Sequence, residues 1–335
     1  MLRKTLILTL LIALLTACAP QATPTNAPAS TEIPTLAPSE ETAAVSIRAA
    51  STQSANVLTF TDGLGREVKL NEPAQRVVSL APSNTEILFA IGADSQVVGR
   101  DEFSDYPEEA KSIASVGGSF GEYSSEAILA LEPDLVLAAE INPPELVKQL
   151  EDLGLTVYYL KNPLTLEEMY GNLEIVAQLT GHQDETSALV ESLKARVATV
   201  DEKVATITDK PVVFYEIDAS DASKPYTYGP GTFGDLLITR AGGVNFSVAA
   251  GITDPYPQVS LEQVVATNPA MIVLGDSMWG TTPESVQARA GWDVLDAVKN
   301  NQIFPFDDNL VSRPGPRLVD GLEQLAKLLH PDLFK

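Results

Sequence analysis

Cysteine is almost missing from this chain: Cys18 is the only one in 335 residues. An exported protein normally uses cysteines in pairs, so a lone one near the amino terminus has a task other than a disulfide. Histidine is nearly as scarce, with His182 and His330 the only two. A zinc centre takes three or four clustered His, Cys or carboxylate ligands, which disfavours a transition-metal receptor built on histidines. Lysine and arginine number 22 against 45 acidic residues, a formal net charge of -23. Nucleic-acid binding relies on cations that neutralise phosphates, so nucleic acid is excluded as a partner and the acidity reads as solubility outside the cell. No G-x-S-x-G nucleophile elbow occurs, and no triad has a nucleophile in an evident context, so nothing in the sequence argues for catalysis.

What is present begins with "MLRKTLILTLLIALLTACAP". Arg3 and Lys4 precede an apolar run too short for a comfortable membrane span, and small residues lead into Cys18. "LTAC" has the form of a lipobox, which makes residues 1–18 a lipoprotein signal peptide and Cys18 the lipidated first mature residue; a plain secretory signal or a short anchor is the simpler alternative. Residues 19–56 are rich in Ala, Thr, Pro, Ser and Glu with few large apolar groups, the composition of a disordered stalk. As a flexible coil it reaches roughly 35 Å.

The remaining residues repeat themselves. "SSEAILALEPDLVLA" from Ser124 returns as "SLEQVVATNPAMIVL" from Ser260. Each copy predicts a short helix capped by serine, with a glutamate in the first turn where the helix dipole favours negative charge, then a proline stop and a buried parallel strand. The flanking segments correspond too: "RVVSLAPSNTEILFAIGA" and "PVVFYEID…GTFGDLLITRAGG" both read strand, loop, helix and closing glycine. In the first of these, Ser83 and Glu86 form a potential capping box. Between the copies, Leu189, Leu193, Val197, Val200, Val204 and Ile207 recur at steps of four and three, one stripe of an amphipathic helix on the order of 35 Å long. The expected architecture is α/β: two three-layer lobes, residues 57–182 and 209–335, joined by one long helix over 183–208, with a ligand cleft between the lobes.

"GPGTFG" from Gly229 matches G-x-G-x-x-G by letter. A polar loop precedes it and no carboxylate stands about 20 residues on, so it reads as the start of a helix facing the space between the lobes rather than a dinucleotide site. Aromatic residues are sparse, yet several cluster in loops beside strand ends, where α/β sheets hold ligands: Phe103, Phe120, Tyr228, Tyr256 and Trp279. In "SRPGPR", Arg313 can fix an anionic or amide-rich ligand or pair with a local carboxylate.

These stretches resemble the substrate-binding proteins of bacterial ABC importers for cobalamin, haem and iron-siderophores, most closely the cobalamin-binding branch. "RVVSLAPSNTEILFAIGA", "FSDYP", "SSEAILALEPDLVLA", "YPQVSLEQVVATNP" and "SRPGPR" carry the resemblance, which spreads from Arg76 to Arg317. It implies a non-enzymatic receptor, monomeric, without a cofactor of its own. The transported ligand is cobalamin or another large metal-bearing cofactor; the partners are an ABC permease dimer and, through Cys18, the outer face of the cytoplasmic membrane. It further implies that Glu126 and Glu262 dock on the two permease subunits, and that Phe103, Phe120 and Tyr256 line the cleft. Ala139 and Glu140 stand where the pattern can hold a tryptophan, which leaves haem or a siderophore open. A sensor or an enzyme on the same scaffold is the alternative from another class.

Overall fold

The computed structural model describes residues 57–118 and 121–335. The segments expected to be a signal peptide with Cys18 and a stalk, and Phe120, lie outside these residues. A two-stranded hairpin, β1 (Leu58–Thr61) and β2 (Glu67–Leu70), precedes the first lobe. That lobe runs β3 (Val77–Ser79), α1 (Pro82–Ala90), β4 (Val97–Arg100), α2 (Ser125–Ala130), β5 (Leu135–Ala139), α3 (Pro144–Asp152), β6 (Val157–Leu160) and α4 (Leu166–Thr180). Helix α5 (Gln183–Val204) follows. The second lobe holds β7 (Val212–Asp218), β8 (Tyr226–Thr227), α6 (Phe233–Arg240), β9 (Val244–Asn245), α7 (Phe246–Ala249), α8 (Leu261–Thr267) and β10 (Met271–Leu274). It ends with α9 (Pro283–Gln287), α10 (Asp296–Lys299), β11 (Ile303–Pro305), α11 (Asn309–Ser312) and α12 (Leu318–Leu329).

Both sheets are wound alike. The first has the order β4-β3-β5-β6 and the second β9-β7-β10-β11, all parallel, with the short β8 added antiparallel to β7. Each therefore places its first strand second in the row, beside its third. Side chains alternate across each sheet as the pleat dictates. Val77, Leu135 and Leu137 face one apolar cluster while Val78, Val136 and Ala138 face another; in the second lobe Val213, Tyr215 and Val273 oppose Phe214, Ile272 and Leu274. Each lobe is thus a three-layer α/β sandwich.

The inner faces of the two sheets share one continuous core. Helix α5 runs through it, contributing Val190, Leu193, Val197 and Val200, and at 22 residues it spans about 33 Å. It begins where the apolar stripe predicts and stops at Val204, a turn short of the expected end. All the described residues fall in one compact unit.

The repeat extends to backbone strain. Helix α2 is followed by Glu132 at φ 46° and helix α8 by Asn268 at φ 48°, each immediately before the proline of its copy. The residue before a proline is barred from the right-handed helical region, and both copies turn out of the helix through the left-handed one. The serine caps form as expected: Ser124 accepts from the Ala127 amide and Ser260 from that of Gln263. The Ser83/Glu86 capping box does not. Helix α1 starts at Pro82 with no side-chain cap, because Glu86 is drawn to a partner in the other lobe.

Candidate ligand cleft

Parallel strands end on one edge, and the loops that leave that edge build a cavity of about 660 Å³. In the first lobe Ser83 follows β3, Asp101 and Phe103 follow β4, Ile141 follows β5 and Asn162 follows β6, and all reach its wall. The second lobe closes it with Ser312, Arg313 and Pro314. A smaller cavity of about 160 Å³ shares Glu140 and Asn162 with it and meets Gly231, Thr232, Phe233 and Tyr256 across the gap. The cleft between the lobes thus has two chambers.

The sequence-predicted residues separate here. Phe103, 54% exposed, stands at the main wall, and Tyr256, 53% exposed, at the smaller chamber. Phe120 lies outside the described residues. Tyr228 is not at either wall: only 4% of it is exposed, its hydroxyl donates to Asp308 and its ring packs 6.1 Å from that of Tyr256. It props the cleft tyrosine instead of meeting ligand. Trp279 lines neither chamber; it stands 80% exposed on a helical turn after β10, where neighbouring side chains leave it uncovered.

Arg313 is at the wall and is already engaged. Its guanidinium donates to Glu86 at 3.0 Å and to Asp105 at 2.7 Å, and Arg317 donates to the same Glu86 at 2.8 Å. The pairing with local carboxylates is therefore the one of the two expectations that the structure shows.

Sequence reasoning missed Asp101, Ile141 and Asn162, and the loop aromatic Tyr123 joins them at the wall. Their common signal was position, one or two residues past a strand or just before a capped helix. Tyr123 donates its hydroxyl to the Leu80 carbonyl at 2.8 Å and accepts from Asn142. Burial, reinforced by Asp101, pushes its phenol up to about 12. It stays protonated and its oxygen is occupied. Burial likewise raises Asp101, whose carboxylate accepts from the Phe103 amide at 2.9 Å and from Ser104.

The glycine-rich stretch is explained by packing. A Cβ on Gly229 would come within 1.8 Å of the Asp254 carbonyl, and one on Gly234 within 2.0 Å of the Tyr228 ring. Thr232 caps α6 by accepting from the Asp235 amide, and Asp235 in turn accepts from Gly231. The first turn is satisfied by its own side chains. His182 bonds the Thr180 carbonyl and His330 that of Gly242, and among the described residues no group of His, Cys, Asp and Glu is arranged to hold a metal ion.

Glu126 and Glu262 occupy the second position of α2 and α8, and both are exposed. Each of these helices leads into a parallel strand, so its amino end lies at the strand-end edge of its own sheet. The first-turn amide, with help from Ser260, holds the Glu262 carboxyl below its ordinary value.

A two-lobed receptor geometry of this kind has relatives, and a family model described as periplasmic binding protein matches residues 77–310. The chain belongs to that family. A periplasmic binding protein of the ABC-importer type works outside the cytoplasm and hands a solute to a membrane permease, and family members are solute binders. Among the relatives, the uncharacterized ABC transporter substrate-binding lipoprotein YvrC of Bacillus subtilis is 33% identical over 281 residues, 83% of this chain and 87% of that one. The periplasmic vitamin B12 binding protein BtuF of Vibrio cholerae has a solved structure of TM-score 0.65 and 30% identity, with 78% of this chain and 99% of that chain covered. The haem-binding protein RhuT of Roseiflexus, in apo form, superposes with TM-score 0.70 at 28% identity, covering 78% and 99%. No helix among the described residues is long and apolar enough to cross a membrane.

Proposed function

We propose that this periplasmic binding protein captures cobalamin or a related corrinoid and delivers it to an ABC permease while tethered to the membrane through a lipid on Cys18. The observation that carries the corrinoid reading is the state of the polar groups in the main chamber. Arg313, its only cation among the described residues, is held by two carboxylates, and its tyrosine is a bonded, protonated phenol. Haem brings propionate carboxylates and an iron that seeks an axial donor, and this wall offers neither partner free. A corrinoid brings its own cobalt ligands and a periphery of neutral amides. Asn162, Ser83 and Glu140 suit those amides, with Phe103 and Ile141 against the ring. The likeness to the vitamin B12-binding protein of Vibrio cholerae supports the same choice.

Glu126 and Glu262 are the docking groups in this reading. Two lobes of equal winding present one exposed first-turn carboxylate each, which suits a permease of two like subunits. Single exposed ion pairs contribute little affinity, and two at a fixed separation give register.

Titration calorimetry of the full chain in detergent tests the ligand. Cyanocobalamin is expected to bind at micromolar concentration or below and haemin more weakly; the reverse order removes the corrinoid reading and leaves the receptor class standing. Haem or a ferric siderophore is the second reading, favoured by Tyr256, whose half-exposed ring stands in the smaller chamber, and by the likeness to the Roseiflexus haem-binding protein.

A further inference from the structure

Every ion pair that runs directly from lobe to lobe among the described residues joins one loop of the second lobe to Glu86 or Asp105 of the first. Glu86 sits on α1, its side chain 1% exposed, and lines neither chamber. Arg313 and Arg317 reach it from 227 and 231 residues further along the chain. Arg313 also donates to Asp105 and more distantly to the Phe103 carbonyl at 3.4 Å, while the guanidinium of Arg317 lies 3.9 Å over the ring of Tyr106. Gly315, between the arginines, lies beside Ser83 and Ile87 of α1. Two positive and two negative side chains make this cluster formally neutral.

Stability alone does not account for such a group. A buried ion pair roughly offsets its own desolvation, and an apolar pair of the same shape often does as well. The cluster has a second consequence, because Arg313 is also the only cation among the described residues at the wall of the main chamber, which it shares with Asp101 and Glu140. Whatever Glu86 takes from Arg313 is withheld from the ligand.

We propose that Glu86 is a specificity-determining residue that acts through Arg313: from outside the chamber it neutralises the cationic end of the cleft and turns away tetrapyrroles bearing carboxylates. The assignment rests on the corrinoid reading and extends it to a residue that touches no ligand. Removing the Glu86 charge leaves the cluster of Arg313, Arg317 and Asp105 with one net positive charge, with Arg313 carrying it to the wall and Asp105 as its remaining partner, while the shape of the chamber stays set by the core and by α5.

The test uses the full chain as wild type, Glu86→Gln and Glu86→Gln/Arg313→Gln, titrated by absorbance with haemin, haemin dimethyl ester and cyanocobalamin. Glu86→Gln is expected to raise haemin affinity about tenfold. The ester, which lacks free carboxylates, is expected to gain nothing, and the double variant to lose the gain. Equal gains for haemin and ester mean that the variant merely loosens the lobes, and no haemin gain means that Arg313 is not released; either overturns the proposal while leaving corrinoid binding intact. A wild type that prefers haemin to cyanocobalamin overturns the corrinoid reading and this assignment with it. Should Glu86→Gln fail to fold, Asp105→Asn frees the same guanidinium from a half-exposed partner and is expected to show the same selectivity in smaller measure; no haemin gain there counts against the proposal as well.

Discussion

The two lobes share a strand order, a serine cap, a first-turn glutamate and a left-handed residue before proline, yet they divide the labour of the cleft unequally. The first lobe supplies most of the main wall through the loops after β3 to β6, whereas the second contributes one loop there and the floor of the smaller chamber. Both lobes bury carboxylates, Asp62, Glu86 and Asp101 in the first and Glu216 and Asp276 in the second, but with different partners. Glu216 on β7 is fully buried against Arg289, and Asp308 accepts hydrogen bonds from Tyr215 and Tyr228. What repeats is the scaffold and the surface that two like permease subunits would meet. What differs faces the cleft.

The largest effect is expected where the lobes are most alike. Charge reversal at both Glu126 and Glu262 is expected to abolish uptake by cells carrying the cognate permease while the purified receptor binds its ligand as before; transport that survives would leave the two glutamates as helix-dipole charges only. Reversal in one lobe alone is expected to weaken uptake without ending it.

A smaller effect separates the two caps. Helix α8 has a full capping box, with Gln263 reaching back to the Ser260 amide, while α2 has Ala127 at the matching position and only the serine bond. Ser124→Ala is expected to cost about 1 kcal/mol and Ser260→Ala somewhat more, read from urea midpoints at constant slope. Equal losses would show that the reciprocal bond adds nothing.

The smallest effect lies in pH. Burial raises the Asp308 carboxyl against hydrogen bonds from Ser312, Tyr215 and Tyr228. Its folded-state value is above the ordinary 3.8, so the native state keeps the proton to higher pH than the unfolded chain does. Its contribution to stability is complete below the ordinary value and is lost as pH rises through the elevated one. Asp308→Asn is therefore expected to flatten the decline in melting temperature above about pH 4, and an unchanged slope would assign that decline to other groups.

Much of this was legible because it is local. Serine caps, the glutamates two residues on, the proline stops and the stripe of α5 all act within a turn or two of the chain, so spacing alone displays them. Tyr228 and Trp279 misled for the complementary reason. Both sit in loops beside strand ends, where an aromatic residue can face a ligand, bury itself beneath one or stand clear, and nothing within a few residues chooses among these. Glu86 misled in the same way: its spacing from Ser83 matched a capping box, and a stronger partner 227 residues away took it.

By itself the sequence determined the periodicities and their repetition, and hence two α/β lobes around a long helix, because backbone hydrogen bonding and the burial of apolar stripes are satisfied within each element and its neighbours. Which loop residues face one another across the cleft was decided only by tertiary structure. An ion pair such as Glu86 with Arg313 and Arg317 depends on the final spacing of two sheets, and Coulomb attraction in a dry interface rewards geometry that no run of adjacent residues contains.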